Sequence, residues 1–296
     1  MFEGIITPIV TPFHRDAQES INYEATKQLI DHLIEHGVKG IFILGSNGEF
    51  HVIDEEEKVA FAKRVIEIVN KRVPVFVGTG CCSTRETIRL SKKREELGAD
   101  ALSVITPYFL KPTNANLYAH YKAVAESVNL PIVLYNIPKA TGCPLDPELV
   151  NELADIENIK AIKDSSGEEE RIQAYAKIAK EKDFKLLIGS DSKISYAYEL
   201  GASGAVAGTS NVITDTLVAL DRALRNKEQE SAEKLQKDID VLRGVLKLGT
   251  VPSAMKRAVE LAGIAEVGPA RMPVEELSKE DDEKIIEMLR YYGLAK

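Results

Sequence analysis

The sequence predicts a (β/α)8 barrel, the TIM architecture, followed by a helical C-terminal extension. Two observations carry the prediction. Apolar runs of strand length alternate with amphipathic segments eight times between Ile5 and Arg225, and only helical patterns follow Arg225. Parallel strands covered on both faces read as continuous apolar runs, and eight such units close most naturally into a barrel. The 296 residues, 44% of them hydrophobic, suffice for one large core. A doubly wound open sheet is the alternative fold. Against it, Gly78-Thr79-Gly80 lacks the third glycine of a dinucleotide-binding loop.

Taken in order, strands are expected at Ile5–Val10, Gly40–Leu44, Pro74–Gly78, Ala101–Ile105, Pro131–Asn136, Ile159–Asp164, Lys185–Gly189 and Gly204–Ala207. Helices are expected to begin near Tyr23, Asp54, Ser83, Asn114, Asp146, Glu168 and Ser192, with Thr214–Arg225 closing the series. Asp54 with Glu57 and Ser83 with Glu86 have capping-box spacing, which satisfies orphan backbone donors at a helix start. Lys227–Leu248, Ser253–Ala262 and Glu275–Tyr292 are helical in pattern and too many for barrel helices. The expected division is therefore a barrel over 1–225 and an extension over 226–296 packed on it, with no linker between.

Composition excludes several classes of function. The net charge is −8 and no basic stripe is present, which argues against nucleic acid as partner. No apolar run is long enough to cross a bilayer. Met1-Phe2-Glu3-Gly4 leads directly into a strand without a charged n-region, so no signal peptide is read. Cys81, Cys82 and Cys143 form a poor disulfide framework, which fits a reducing, cytoplasmic setting. His32-Leu33-Ile34-Glu35-His36 has a zinc-protease spacing but falls on the first outer helix, and His14, His51 and His120 are scattered, so no metal site is expected.

Chemistry is expected at the C-terminal strand ends, where barrel enzymes place their loops. Three ends stand out. In Ile159-Lys160-Ala161-Ile162-Lys163-Asp164, alternation puts Lys163 on one face with Ile159 and Ala161, at the far end of an apolar strand. Burial there disfavours an ammonium and frees the amine as a nucleophile. Tyr135, ending the preceding strand, would bring a proton-relaying phenol beside it. Gly45-Ser46-Asn47-Gly48-Glu49 is too short for a phosphate loop but the right size to wrap a carboxylate with backbone N–H groups. An amine, a phenol and a carboxylate cradle are the parts needed to form a Schiff base with a 2-oxo acid.

On these residues, with Thr106-Pro107-Tyr108, Tyr135-Asn136-Ile137-Pro138, Thr141-Gly142 and Gly189-Ser190-Asp191, the chain resembles the pyruvate-dependent class I aldolase family that includes dihydrodipicolinate synthase and N-acetylneuraminate lyase. The resemblance runs from Gly4 to about Leu289. It implies that Lys163 forms the imine, that Tyr135 relays protons with help from Ser46, and that Ser46, Asn47 and Gly48 hold the carboxylate. It also implies that the Val206 carbonyl faces the site, that no metal or organic cofactor is needed, and that the assembly is a homotetramer.

The departures from the synthase pattern bear on substrate. Ala140 stands where the synthases carry a carboxylate-binding arginine, Phe109 where they carry a second tyrosine, and Ser46-Asn47 where they carry two threonines. Alanine cannot form a bidentate pair with a carboxylate. The resemblance then leans toward aldolases that cleave 2-keto-3-deoxy sugar acids such as 2-keto-3-deoxygluconate to pyruvate and an aldehyde, with Ser190, Asp191 and Ser210 as candidates for the sugar hydroxyls. The alternative is dihydrodipicolinate synthase itself, condensing pyruvate with aspartate semialdehyde. Neuraminate lyase, 4-hydroxy-2-oxoglutarate aldolase and dehydratase activities follow. A silent 2-oxo-acid sensor is the non-enzymatic rival, against which stand Lys163 and Tyr135 together, since binding alone needs neither.

Overall fold

The computed structural model describes residues 1–295. Eight strands, β1 (Gly4–Pro8), β2 (Gly40–Ile43), β3 (Val75–Gly78), β4 (Ala101–Ile105), β5 (Ile132–Asn136), β6 (Ile159–Asp164), β7 (Lys185–Ile188) and β8 (Gly204–Val206), follow one another in chain order around a closed barrel. The strands fall within the expected segments, except that β1 opens one residue earlier, at Gly4; several are a residue or two shorter. The helices between them are α1 (Tyr23–Glu35), α2 (Glu55–Val69), α3 (Thr84–Glu96), α4 (Asn114–Ala125), α5 (Pro138–Thr141), α6 (Pro147–Leu153), α7 (Glu169–Glu181) and α8 (Ile194–Glu199). After β8 come α9 (Thr214–Asn226), α10 (Gln229–Val245), α11 (Val251–Leu261) and α12 (Lys279–Tyr291). Among the described residues, no helix is long and apolar enough to cross a membrane.

One compact unit comprises residues 1–4 and 74–206. Its strands β4 to β7 are buried along almost their whole length, as parallel strands covered on both faces must be. Register does the positioning. β5 and β6 pair Tyr135 with Lys163 and Asn136 with Asp164, and a shift between Ile132 and Val133 leaves Lys160 as the extra residue of β6. That extra residue lets the exposed Lys160 amine reach Asp183 at 2.6 Å while the rest of β6 stays in step with β5.

The other unit comprises residues 5–73 and 207–296, with β1 and β2 paired in parallel. Asp54 and Glu57 form the expected capping box on α2. Asn211 pins the end of β1: its side chain donates to the carbonyl of Pro8 at 3.0 Å and accepts from the N–H of Val10 at 3.2 Å.

Candidate active site

Lys163 is the fifth of six residues in β6 and is only 4% exposed. Its Nζ lies 3.9 Å from the centre of the Tyr135 ring, the pairing that the strand register dictates. The two residues expected to carry the chemistry are thus adjacent and buried. Glycine at position 189 is required by this arrangement. A Cβ there would meet Ser165 Oγ and lie 3.1 Å from Lys163 Cε and 3.2 Å from the Asp164 carbonyl oxygen. The end of β7, and with it the half-buried Ser190 and Asp191, is therefore packed against the lysine side chain.

Behind this pair runs a buried polar network. Asn136 Nδ2 donates to Asp164 Oδ1 at 2.7 Å, and Asn136 Oδ1 accepts from the Leu145 N–H at 3.0 Å. Ser166 donates to Asp164 through its hydroxyl at 2.8 Å and its N–H at 3.2 Å. Burial pushes the Asp164 carboxyl up, against the pull of the Asn136 and Ser166 hydrogen bonds. Tyr175, whose hydroxyl donates to the Leu145 carbonyl, is pushed well up by burial and so stays protonated. Asn136 and Asp164 are register partners one step beyond Tyr135 and Lys163, so their hydrogen bond fixes the two strands where the reactive pair sits.

Two motif segments are tied to each other as well. Thr106 Oγ1 donates to Thr141 Oγ1 at 3.1 Å and lies 3.0 Å from the Cys143 carbonyl oxygen, while Thr141 Oγ1 also lies 3.2 Å from the Ile137 carbonyl oxygen. This holds the short helix α5, on which Ala140 is exposed. Phe109, 92% exposed and in the left-handed region at φ 79°, and Leu110, 75% exposed, form an apolar tip after β4. Val206 ends β8 and is buried.

In the other unit, the turn after β2 begins with Leu44 at φ 57° and ends with Glu49 at φ 55°, both left-handed and neither glycine. Such backbone costs about 1–3 kcal/mol per residue and gathers at functional turns. The N–H of Glu49 closes onto the Ser46 carbonyl at 3.1 Å and that of Phe50 onto Gly45 at 3.4 Å. These two donors are consumed by closing the turn. Gly48 packs too closely for a side chain: a Cβ would lie 3.2 Å from the Ile9 carbonyl oxygen, and Thr11 Oγ1 donates to the Gly48 carbonyl at 2.7 Å. Ser46 and Asn47 are half-buried at its tip. Ser210 differs from the expectation. It is fully buried, its hydroxyl 2.7 Å from both Thr7 Oγ1 and the Ala207 carbonyl oxygen, so it faces the fold's own polar groups.

Lys256 and Arg271, which the motifs did not single out, hold the last residue of this turn. Glu49 is 1% exposed; its Oε1 lies 2.7 Å from Lys256 Nζ and its Oε2 accepts from the Arg271 N–H at 2.9 Å. No local pattern marks Lys256 on α11. Among the described residues, no cluster of three or more histidine, cysteine or acidic side chains could hold a metal ion.

The chain matches the Dihydrodipicolinate synthetase family over residues 1–291. The 4-hydroxy-tetrahydrodipicolinate synthase of Methanoculleus marisnigri is 35% identical over 293 residues, spanning 99% of this chain and 100% of that one. That of Archaeoglobus fulgidus is 37% identical over 290 residues, 98% of each. Among solved structures, YagE, an E. coli K12 prophage protein of the dihydrodipicolinic acid synthase family in complex with pyruvate, aligns with a TM-score of 0.95 at 34% identity over 100% of both chains. The dihydrodipicolinate synthase of Acinetobacter baumannii, complexed with pyruvate, aligns with a TM-score of 0.93 at 34% identity over 99% of this chain and 100% of that one. The shared motifs, the barrel and these matches lead to one conclusion: the chain belongs to the dihydrodipicolinate synthase family, lyases that form a Schiff base with pyruvate.

Proposed function

We propose that Lys163 is the Schiff-base lysine and that the enzyme joins pyruvate reversibly to an aldehyde. The supporting observation is the buried Lys163 amine set 3.9 Å from the Tyr135 ring, with glycine at 189 leaving room for it. The amine nitrogen adds to the keto carbon of pyruvate, the carbinolamine loses water, and a protonated imine results. The imine draws electrons from the methyl carbon, which loses a proton and becomes an enamine. The enamine carbon bonds to the aldehyde carbon, whose oxygen takes a proton, and water then releases product and free lysine. Cleavage is the same sequence reversed. Tyr135 relays these protons, Ser46 joins the relay, and the turn Ser46-Asn47-Gly48 takes the carboxylate; the Val206 carbonyl borders the site. The lysine does the work of a cofactor.

For the aldehyde, the relatives' names favour the condensation of pyruvate with aspartate semialdehyde over sugar-acid cleavage. One observation favours the second reading, cleavage of a 2-keto-3-deoxy sugar acid: Ala140 presents only a methyl group where the family's synthases carry arginine. Ser190 and Asp191, next to Gly189, remain the candidates for hydroxyl binding; Ser210 does not. Two assays decide between the readings: consumption of aspartate semialdehyde with pyruvate, and pyruvate release from 2-keto-3-deoxygluconate. The synthase reading expects the first kcat/KM to exceed the second by at least about a hundredfold, the discrimination that a site built for one polar substrate provides. The reverse order establishes the sugar-acid reading in its place. A homotetramer is part of the proposal, and the exposed Phe109-Leu110 tip supports burial against a further copy.

A further inference from the structure

We infer that Lys256 is a positioning residue for substrate binding: with Arg271 it grips both carboxylate oxygens of Glu49 and so holds the turn Gly45–Glu49 in its anion-receiving form. The inference deepens the proposal that this turn takes the pyruvate carboxylate, and rests on it. Glu49 is the left-handed residue that ends the turn, and its own N–H closes the turn onto Ser46. A strained residue persists only where its surroundings over-determine it. Here they do so from the C-terminal segment. Lys256 Nζ sits 2.7 Å from Glu49 Oε1, donates to the Pro269 carbonyl at 2.7 Å, and lies 4.0 Å from the centre of the Phe13 ring. Arg271 adds its N–H to Glu49, while its guanidinium holds Glu57 at 2.7 Å and the Val52 carbonyl at 3.1 Å; the Val52 N–H returns to the Glu49 carbonyl at 3.0 Å.

A buried ion pair adds little net stability over well-packed apolar groups, because desolvation offsets the attraction. What this pair supplies is a fixed position for Glu49. Burial pushes the Lys256 ammonium down to about 8 despite the opposing pull of Glu49; Arg271 adds to the fall and Glu260 opposes it. Above that pH the amine keeps two N–H groups but loses its charge, and the grip on Glu49 weakens.

The test is the pyruvate concentration that half-saturates borohydride trapping, measured with the full chain as native protein, Lys256→Met, Lys256→Arg and Glu49→Gln/Lys256→Met, beside denaturant unfolding of each. Lys256→Met leaves Glu49 Oε1 without its charged partner, which raises the half-saturating concentration about tenfold and leaves the saturated rate nearly unchanged. The arginine variant restores most of the loss. The double variant leaves no unpaired buried charge, so its unfolding midpoint recovers while its half-saturation stays high. Recovery of both would make Lys256 structural only and overturn the inference. If Lys256→Met does not fold, the arginine and double variants decide alone. Raising the pH through 8 increases the native half-saturation but not that of Lys256→Arg; parallel profiles overturn the inference too. Unfolding is not the cause in that window. A lysine depressed by folding is protonated longer in the unfolded chain, so its contribution to stability grows as pH rises from about 8 to about 10.4. Absence of trapping in native protein refutes the Schiff-base reading and this inference with it. Trapping with unchanged half-saturation in all variants refutes this inference alone.

Discussion

At the scale of single residues, the amine of Lys163 depends on what its neighbours omit as much as on what they supply. Tyr135 offers a ring face beneath it, and Gly189 offers no Cβ. Gly189→Ala would push a methyl group against Ser165 Oγ and to 3.1 Å from Lys163 Cε. The expected cost in stability is about 1–3 kcal/mol, the usual range for one added methyl in a packed interior. The cost in rate falls at the upper end of the same range, because a displaced reacting group loses about a hundredfold for roughly an ångström of error. Pyruvate trapping by the alanine variant should therefore slow about a hundredfold while the fold survives; an unchanged trapping rate would show that Gly189 does not shape the lysine's path. The adjacency of Lys163 and Tyr135 was legible in the sequence because strand alternation and sequential parallel strands fix it together. The Asn136–Asp164 hydrogen bond behind them was not: both residues sit in quoted motifs, but only the register shows that they pair.

At the scale of elements, the helix ends follow chemistry that a sequence carries in part. Asp54 and Ser83 cap α2 and α3 through the N–H groups of Glu57 and Glu86, as their spacing predicts. The helix expected over Glu275–Tyr292 starts only at Lys279, because Ser278 caps it by accepting from the Asp281 N–H at 3.2 Å. α10 starts at Gln229 because Lys227 turns left-handed, at φ 60°. Such turns have no local signature in a lysine. Between α3 and α4, His120 is buried with Nδ1 at 2.9 Å from Thr84 Oγ1, and its Nε2 has no hydrogen-bond partner among the described residues. Burial pushes it down to about 4, so the folded protein holds it neutral. As pH falls from about 6.5 to about 4 the unfolded chain binds this proton and the folded chain does not, which lowers stability by on the order of 3 kcal/mol and then levels off. Denaturant unfolding across that range should show the decline in native protein and a flatter profile in His120→Gln. Identical slopes would remove His120 as the cause.

At the scale of the whole molecule, the eight-stranded barrel was legible from the repeated alternation of apolar and amphipathic segments. The part played by the C-terminal helices was not. Their residues lie in the same compact unit as the turn after β2, and Lys256 and Glu49 meet there although nothing in either local sequence names the other. Long-range polar pairs of this kind have no periodicity to betray them. The other unit carries the amine and the phenol. The proposed function stands or falls on whether Lys163 forms a covalent imine with pyruvate. Mass spectrometry after treatment with pyruvate and borohydride, on native protein and on Lys163→Ala, tests it most directly. The prediction is one reduced pyruvate adduct per chain, located on Lys163 and absent from the alanine variant. A native chain that takes no label, or an alanine variant labelled as fully as the native chain, would contradict it.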